Sequence, residues 1–163
     1  MQNAHFSYAV SVSGRRKKSV RQLHEAMVDL FALMSRPQRD ERLLAEAGVS
    51  LDRALFPLLV GIQRYGPIGV VELADGVGRD HSTVSRQVAE LERAGLVERR
   101  PSPSDARVRQ AVITHKGRKL TDALGAARER LLAPILAEWS DRDFGELVRL
   151  LRRFADDLID PPR

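Results

Sequence analysis

Apolar positions recur in helical steps along most of this chain, and one short basic stretch alternates instead. Ser19, with Gln22 three residues on, has the spacing of a capping box that opens a helix. Val20, Leu23, Met27, Leu30 and Met34 follow at steps of three and four, a seam suited to packing helix on helix. Phe31 and Leu33 widen that seam beyond what one contact needs. Pro37 ends the helix, and the charged run 38–48 predicts a short connecting one. Ser50 is expected to begin the next helix, with Leu51, Leu55, Leu58, Leu59 and Ile62 inward and Pro57 kinking it from inside. Gly66-Pro67 closes it. A short helix over 70–75 and a turn over 76–79 lead into the most informative part of the chain.

There Asp80 stands where an N-cap belongs, Val84, Val88 and Leu91 form one apolar stripe, and Gly95 has the place of a helix-ending residue. The other face carries Ser82, Thr83, Ser85, Arg86 and Arg93, with Arg79 and His81 at the N-terminal end. Short hydroxyls and long guanidiniums suit base edges and phosphates in a major groove. A strand over 96–100, a turn over 101–105 and a return strand over 108–113 predict a hairpin. Arg99, Arg100, Arg107 and Arg109 lie on it, with Ser104 and Asp105 at its tip. A helix followed at once by a basic hairpin is a recognition helix and its wing.

Thr114 caps a long helix through Leu120, Leu124, Ala127, Leu131 and Ile135, which Pro134 is expected to bend. Ser140, with Asp143 in capping-box position, starts the last helix. Phe144, Leu147, Val148, Leu151, Phe154, Ala155 and Leu158 make one apolar face on it before Pro161-Pro162. The two ends therefore carry more apolar surface than a small domain between them could cover. That excess asks for further cover, part of it from the core of the same chain. The seams that carry it are Val20, Leu23, Met27, Leu30 and Met34 with Phe144, Leu147, Leu151, Phe154 and Leu158.

Charge sharpens this picture. Of the formal net charge of +5, residues 79–119 hold ten Lys/Arg against five Asp/Glu, and residues 1–18 add four cations with no acid. The remaining segments are net acidic, so positive charge gathers on the hairpin region and on a tail, as phosphate binding requires. The tail, 1–18, reads as a disordered basic arm. Aromatics are only 5% of the 163 residues, so a Leu/Val/Ala-rich helical core is expected. With no cysteine, disulfides, thiolate metal sites and cysteine-based peroxide sensing are excluded for this chain. No apolar run approaches the roughly eighteen residues of a membrane span. The N-terminal order of FSYAV before its basic cluster reverses that of a signal peptide, so a cytoplasmic protein is the default expectation.

From Ser82 to Gly117 the chain resembles the MarR (multiple antibiotic resistance regulator) family. The matching positions are Ser82-Thr83-Val84-Ser85-Arg86, Leu91 with Gly95-Leu96-Val97, Asp105 and Arg107 at the wing tip, and Ile113-Thr114 with Gly117. Glu72-Leu73-Ala74 and Gly76-Val77-Gly78 resemble the preceding helix and turn. Ala106 departs from the pattern where the family often has another Arg. The resemblance implies a mainly α fold with a small β-hairpin wing, a winged helix-turn-helix between N- and C-terminal dimerisation helices. It also implies a homodimeric repressor that reads an inverted repeat in double-stranded DNA and is released by a small aromatic or anionic effector.

On this reading residues 19–48 are the N-terminal dimerisation helix and connector, 49–114 the DNA-binding domain, and 115–163 the C-terminal dimerisation helices. Arg86 would contact a base, Arg107 would enter a minor groove, and Asp105 would hold the turn. No motif marks an effector site; Met27, Phe31 and Leu55, with His24 and Arg64 as polar groups, are the candidate lining. An enzyme finds no support. Asp80, His81 and Ser82 are consecutive on a helix and point about 100° apart, so no relay forms from them. No phosphate loop or metal-spaced His/carboxylate motif is present, and neither cofactor nor metal is expected. Two alternatives stand beside the repressor: a winged module that binds mainly protein, and a constitutive DNA binder without effector.

Overall fold

The computed structural model describes residues 14–105 and 107–160. The greater part of the expected basic arm, and Ala106, lie outside them. The chain divides into two compact units, one ending at Asp40 and one starting at Glu41.

The first unit is mostly α1 (Gly14–Met34). It starts at Gly14, not Ser19, so Lys17 and Lys18 lie within a helix and Ser19 does not open one. Val20, Leu23, Met27, Leu30, Phe31 and Met34 are all exposed on it. α2 (Pro37–Glu46) follows and carries the expected connector across the boundary.

The second unit is built around α3 (Phe56–Tyr65). Here the expectation of a kinked helix from Ser50 is overturned. The preceding residues form a turn, in which the Asp52 carboxylate accepts from the Ala54 N–H at 2.7 Å. Pro57 falls in the first turn of α3, where its missing N–H leaves no bond unmade. Leu58, Leu59 and Ile62 are fully buried.

β1 (Ile68–Gly69) is a strand that periodicity does not reveal. It pairs with β3 (Arg109–Ile113), which pairs antiparallel with β2 (Val97–Pro101), giving the sheet order β1-β3-β2. Between β1 and β2 run α4 (Val70–Val77) and α5 (His81–Arg93). The turn between these helices uses Gly78 at φ 64°, a left-handed conformation that side chains with a Cβ disfavour. Val84, Val88 and Leu91 of α5 close over Leu58, Leu59, Ile62 and Leu73, with Val97, Ala111 and Ile113 of the sheet.

Thr114 caps α6 (His115–Leu136) as expected, accepting from the Gly117 N–H at 3.1 Å. Pro134 sits in the last turn, two residues before the helix stops. Leu124 and Ala127 of α6 pack on Leu43 and Leu44 of α2, and Arg130 ties the end of α2 through two bonds to Glu46. Ser140 caps α7 (Asp141–Ile159) by accepting from the Asp143 N–H at 3.1 Å. The Asp143 carboxylate accepts from the Ser140 hydroxyl at 2.7 Å, a short-range variant of the capping box. α7 contains no buried residue.

Candidate nucleic-acid interface

α5 is set by its first turn. The Asp80 carboxylate accepts from the Ser82 hydroxyl at 2.6 Å and from the Thr83 N–H at 3.0 Å. These bonds, the Ser82 hydroxyl first, hold its carboxyl below the usual carboxylate range. At the other end Gly95 takes φ 71° and turns the chain into β2. Ser82, Thr83 and Arg86 follow on the outward side of α5. Among the described residues the Arg86 guanidinium makes only long bonds, to its own helix, 3.4 Å to the Ser82 carbonyl and 3.5 Å to the Thr83 hydroxyl. A ligand can redirect it at little cost.

Other candidates are already engaged. Arg79 does not face outward freely: its Nη1 donates to the Ala54 carbonyl at 2.8 Å and, at 3.4 Å, to Gln87. It joins the turn before α3 to the recognition helix. His81 lies 3.0 Å from the Asp75 carboxylate, so a carboxylate on α4 competes with any phosphate for it. Ser85 is half-buried, and its carbonyl accepts from Arg99 at 3.2 Å.

On the hairpin the arginines also divide. Arg99 points to α5, where its Nε lies 3.4 Å from the Glu92 carboxylate. That Nε is buried without a hydrogen-bond acceptor, so the attraction there is Coulombic. Arg100 pairs with Glu98 on the same strand, and Arg109 donates to the Arg99 carbonyl at 3.2 Å. At the tip the Asp105 carboxylate accepts from the Arg107 N–H at 2.9 Å, the expected Asx turn. Ser104 shares a 2.9 Å bond with the buried Ser102 and so holds the tip from within. Among the described residues the Arg107 guanidinium has no hydrogen-bond or ion-pair partner, and it is exposed.

Sequence reasoning missed Ala54, Gln87 and Glu92 as supports of this face. The seven-residue step from Ser85 to Glu92, two helical turns, was the one available signal. Nothing local could reveal Ala54, whose carbonyl is 25 residues from Arg79.

Of the effector candidates, Leu55 is part of the hydrophobic core and not a free lining residue. Met27 and Phe31 are exposed on α1, as is His24, and Arg64 stacks on the Tyr65 ring at 5.2 Å.

The sequence model of the MarR family matches residues 51–108. An uncharacterized HTH-type transcriptional regulator of Bacillus subtilis (strain 168), YxaD, is 39% identical over 111 residues, which are 66% of this chain and 78% of that protein. The chain belongs to the MarR family. Membership makes it a non-enzymatic, DNA-binding transcription regulator, and its fold is a winged helix-turn-helix. Solved members of the MarR fold agree in shape. A MarR family protein from Bacillus stearothermophilus superposes with a TM-score of 0.73 at 24% identity, over 88% of this chain and 98% of its own. CouR from Rhodococcus jostii RHA1, solved bound to p-coumaroyl-CoA, gives 0.57 at 24% identity over 76% and 83%. No described helix is long and apolar enough to cross a membrane.

Proposed function

We propose that the chain acts as a homodimeric repressor that reads an inverted-repeat operator, with Arg86 on base edges and Arg107 in a flanking minor groove. The observation that carries this is the division of the arginines. Among the described residues the Arg86 guanidinium is held only by weak bonds to its own helix and the Arg107 guanidinium by none, whereas Arg79, Arg99 and Arg109 are committed within the fold. Ser82 and Thr83 stand beside Arg86 with hydroxyls that reach bases or phosphates. Dimerisation is supported by the apolar faces of α1 and α7, which stay uncovered in a single chain. A two-fold pair presents two recognition helices about one turn of DNA apart. A dimer bound across a promoter blocks access to it, hence repression, and the reading places the work in the cytoplasm.

Release by a small molecule completes the proposal. CouR with p-coumaroyl-CoA makes aromatic acids and their thioesters the first class to test. Candidate contacts to test are His24, Met27 and Phe31 on α1 and, separately, Arg64 on α3. An effector that prefers the DNA-incompetent dimer with a coupling of about 1–3 kcal/mol lowers operator affinity roughly 5- to 150-fold.

The test is selection of an operator from random duplex DNA, followed by titration of variants. Arg86→Ala is expected to lose roughly 1–3 kcal/mol per half-site and to relax one base position. Arg107→Ala is expected to lose preference for A·T-rich flanks with a narrow groove. If both variants bind operator and scrambled DNA as the parent does, this docking is wrong.

A further inference from the structure

Besides its apolar packing, the hairpin is tied to the recognition helix by a polar side chain that reaches residues two turns apart. Arg99, in the middle of β2, donates from Nη2 to the Ser85 carbonyl at 3.2 Å and sets its Nε 3.4 Å from the Glu92 carboxylate. Ser85 and Glu92 are seven residues apart, so they lie two turns apart on one side of α5, with the fully buried Val88 between them. Behind this contact the Arg109 guanidinium, from the neighbouring strand, donates to the Arg99 carbonyl at 3.2 Å. Both strands of the wing are thereby tied to one line along the recognition helix.

We propose that Arg99 is a positioning residue, not a DNA contact: it sets the angle of the wing against α5 and so couples the two halves of the DNA reader. Geometry supplies the reason. A five-residue strand is about 17 Å long, so a swing of 10° at its base moves the tip by roughly 3 Å. That is as large as a hydrogen-bond length, and Arg107 is at the tip. The buried apolar anchor of the hairpin, Leu96, Val97, Ala111 and Ile113, reaches only to the level of Arg99, which faces Ala111 across the strands, and so leaves the outer part towards the tip without apolar support. Arg99 lies between that base and the tip. A lysine carries the same charge but is a point donor, which cannot meet a carbonyl and a carboxylate two turns apart. Arg→Lys therefore separates the role of brace from that of phosphate contact.

The inference rests on the reading of Arg86 and Arg107 as DNA contacts, so its test has one arm without DNA. In the full-length protein, hydrogen exchange of DNA-free Arg99→Lys is expected to quicken at the amides of β2 and β3 and to stay unchanged in α3 and α4. Exchange in the hairpin equal to that of the parent overturns the proposal, whatever Arg107 does. The second arm measures operator affinity against salt. Arg99→Lys and Arg99→Met should both bind roughly 3- to 30-fold more weakly. The slope of log affinity on log salt should not change, and Arg107→Ala should add little once Arg99 is replaced. A slope shallower by about 0.9 for each lost phosphate contact in Arg99→Met, with Arg99→Lys binding as the parent does, makes Arg99 a phosphate contact and also overturns it. If Arg107→Ala is silent in the parent while hairpin exchange still quickens in Arg99→Lys, the docking reading fails and the brace stands.

Discussion

α5 and α7 are written in the same style and end in opposite situations. Each opens on a side-chain cap, Asp80 or Ser140, and each carries one apolar stripe at helical spacing. In α5 the stripe of Val84, Val88 and Leu91 is 0% exposed. In α7 no residue is buried, and Leu151 and Ile159 remain 56% and 76% exposed. α1 resembles α7, with Phe31 at 74%. Periodicity thus says that a helix has a face to bury and is silent about what covers it. The covering of α5 comes from α3, α4 and the sheet of its own chain, whereas the stripe of α7 stays exposed.

Cutting into each stripe breaks this comparison most strongly. Leu91→Ala should cost about 2–5 kcal/mol, because it leaves a cavity in a packed core, and the loss should not depend on protein concentration. Leu30→Glu and Leu151→Glu should instead give monomers or aggregates, seen by light scattering. The melting temperature of the parent should rise with concentration, as for any fold completed by association. A concentration-independent melt for a well-folded parent monomer would remove the distinction between the two helices.

Glycines sharpen it at the next level. A Cβ on Gly117 of α6 would lie 2.1 Å from the Leu96 carbonyl oxygen and 2.8 Å from Ile113 Cγ1. Gly117→Ala should therefore cost roughly 1–3 kcal/mol in chemical denaturation, through forced separation of α6 from the hairpin. On α7, a Cβ at Gly145 meets nothing within 4 Å. Gly145→Ala should gain about 0.5–1 kcal/mol from helix propensity alone. A loss at Gly145 would mean that a partner backbone packs there.

The smallest effect concerns the cap of α5. The hydrogen bonds from Ser82 and Thr83 lower the Asp80 pKa in the folded state. The stability they contribute is therefore complete above the unfolded aspartate pKa and is lost as pH falls through the lower folded value. Thermal melts of Asp80→Asn and the parent should differ at neutral pH and converge in acid below the ordinary aspartate range. Ser140→Ala on α7 removes a hydroxyl that accepts from the Asp143 N–H and donates to its carboxylate, and it should lower the melting temperature at neutral pH.

Much of the winged domain was legible because its rules are local. The caps at Asp80, Thr114 and Ser140 and the left-handed Gly95 act within a few residues, and all appear where the pattern put them. Pro57 differs from the pattern's expectation for a related reason: proline is acceptable in a first turn and disruptive in a middle one, and periodicity does not locate the start of α3. β1 was missed because two residues carry no period, and Ile68 becomes a strand only through its pairing with Ala111.

The sequence alone determined the order of most helices, the caps at Asp80, Thr114 and Ser140, the basic hairpin and the family, since capping is settled within about one helical turn. Tertiary structure decided which arginines are free. Arg79 finds its acceptor 25 residues back, Arg99 finds Ser85 14 residues back, and Arg130 meets Glu46 across 84. A guanidinium has the same charge in every one of these settings. Its availability to DNA depends on which carbonyls and carboxylates the packed core brings within 3 Å or so, and only the folded chain places those groups.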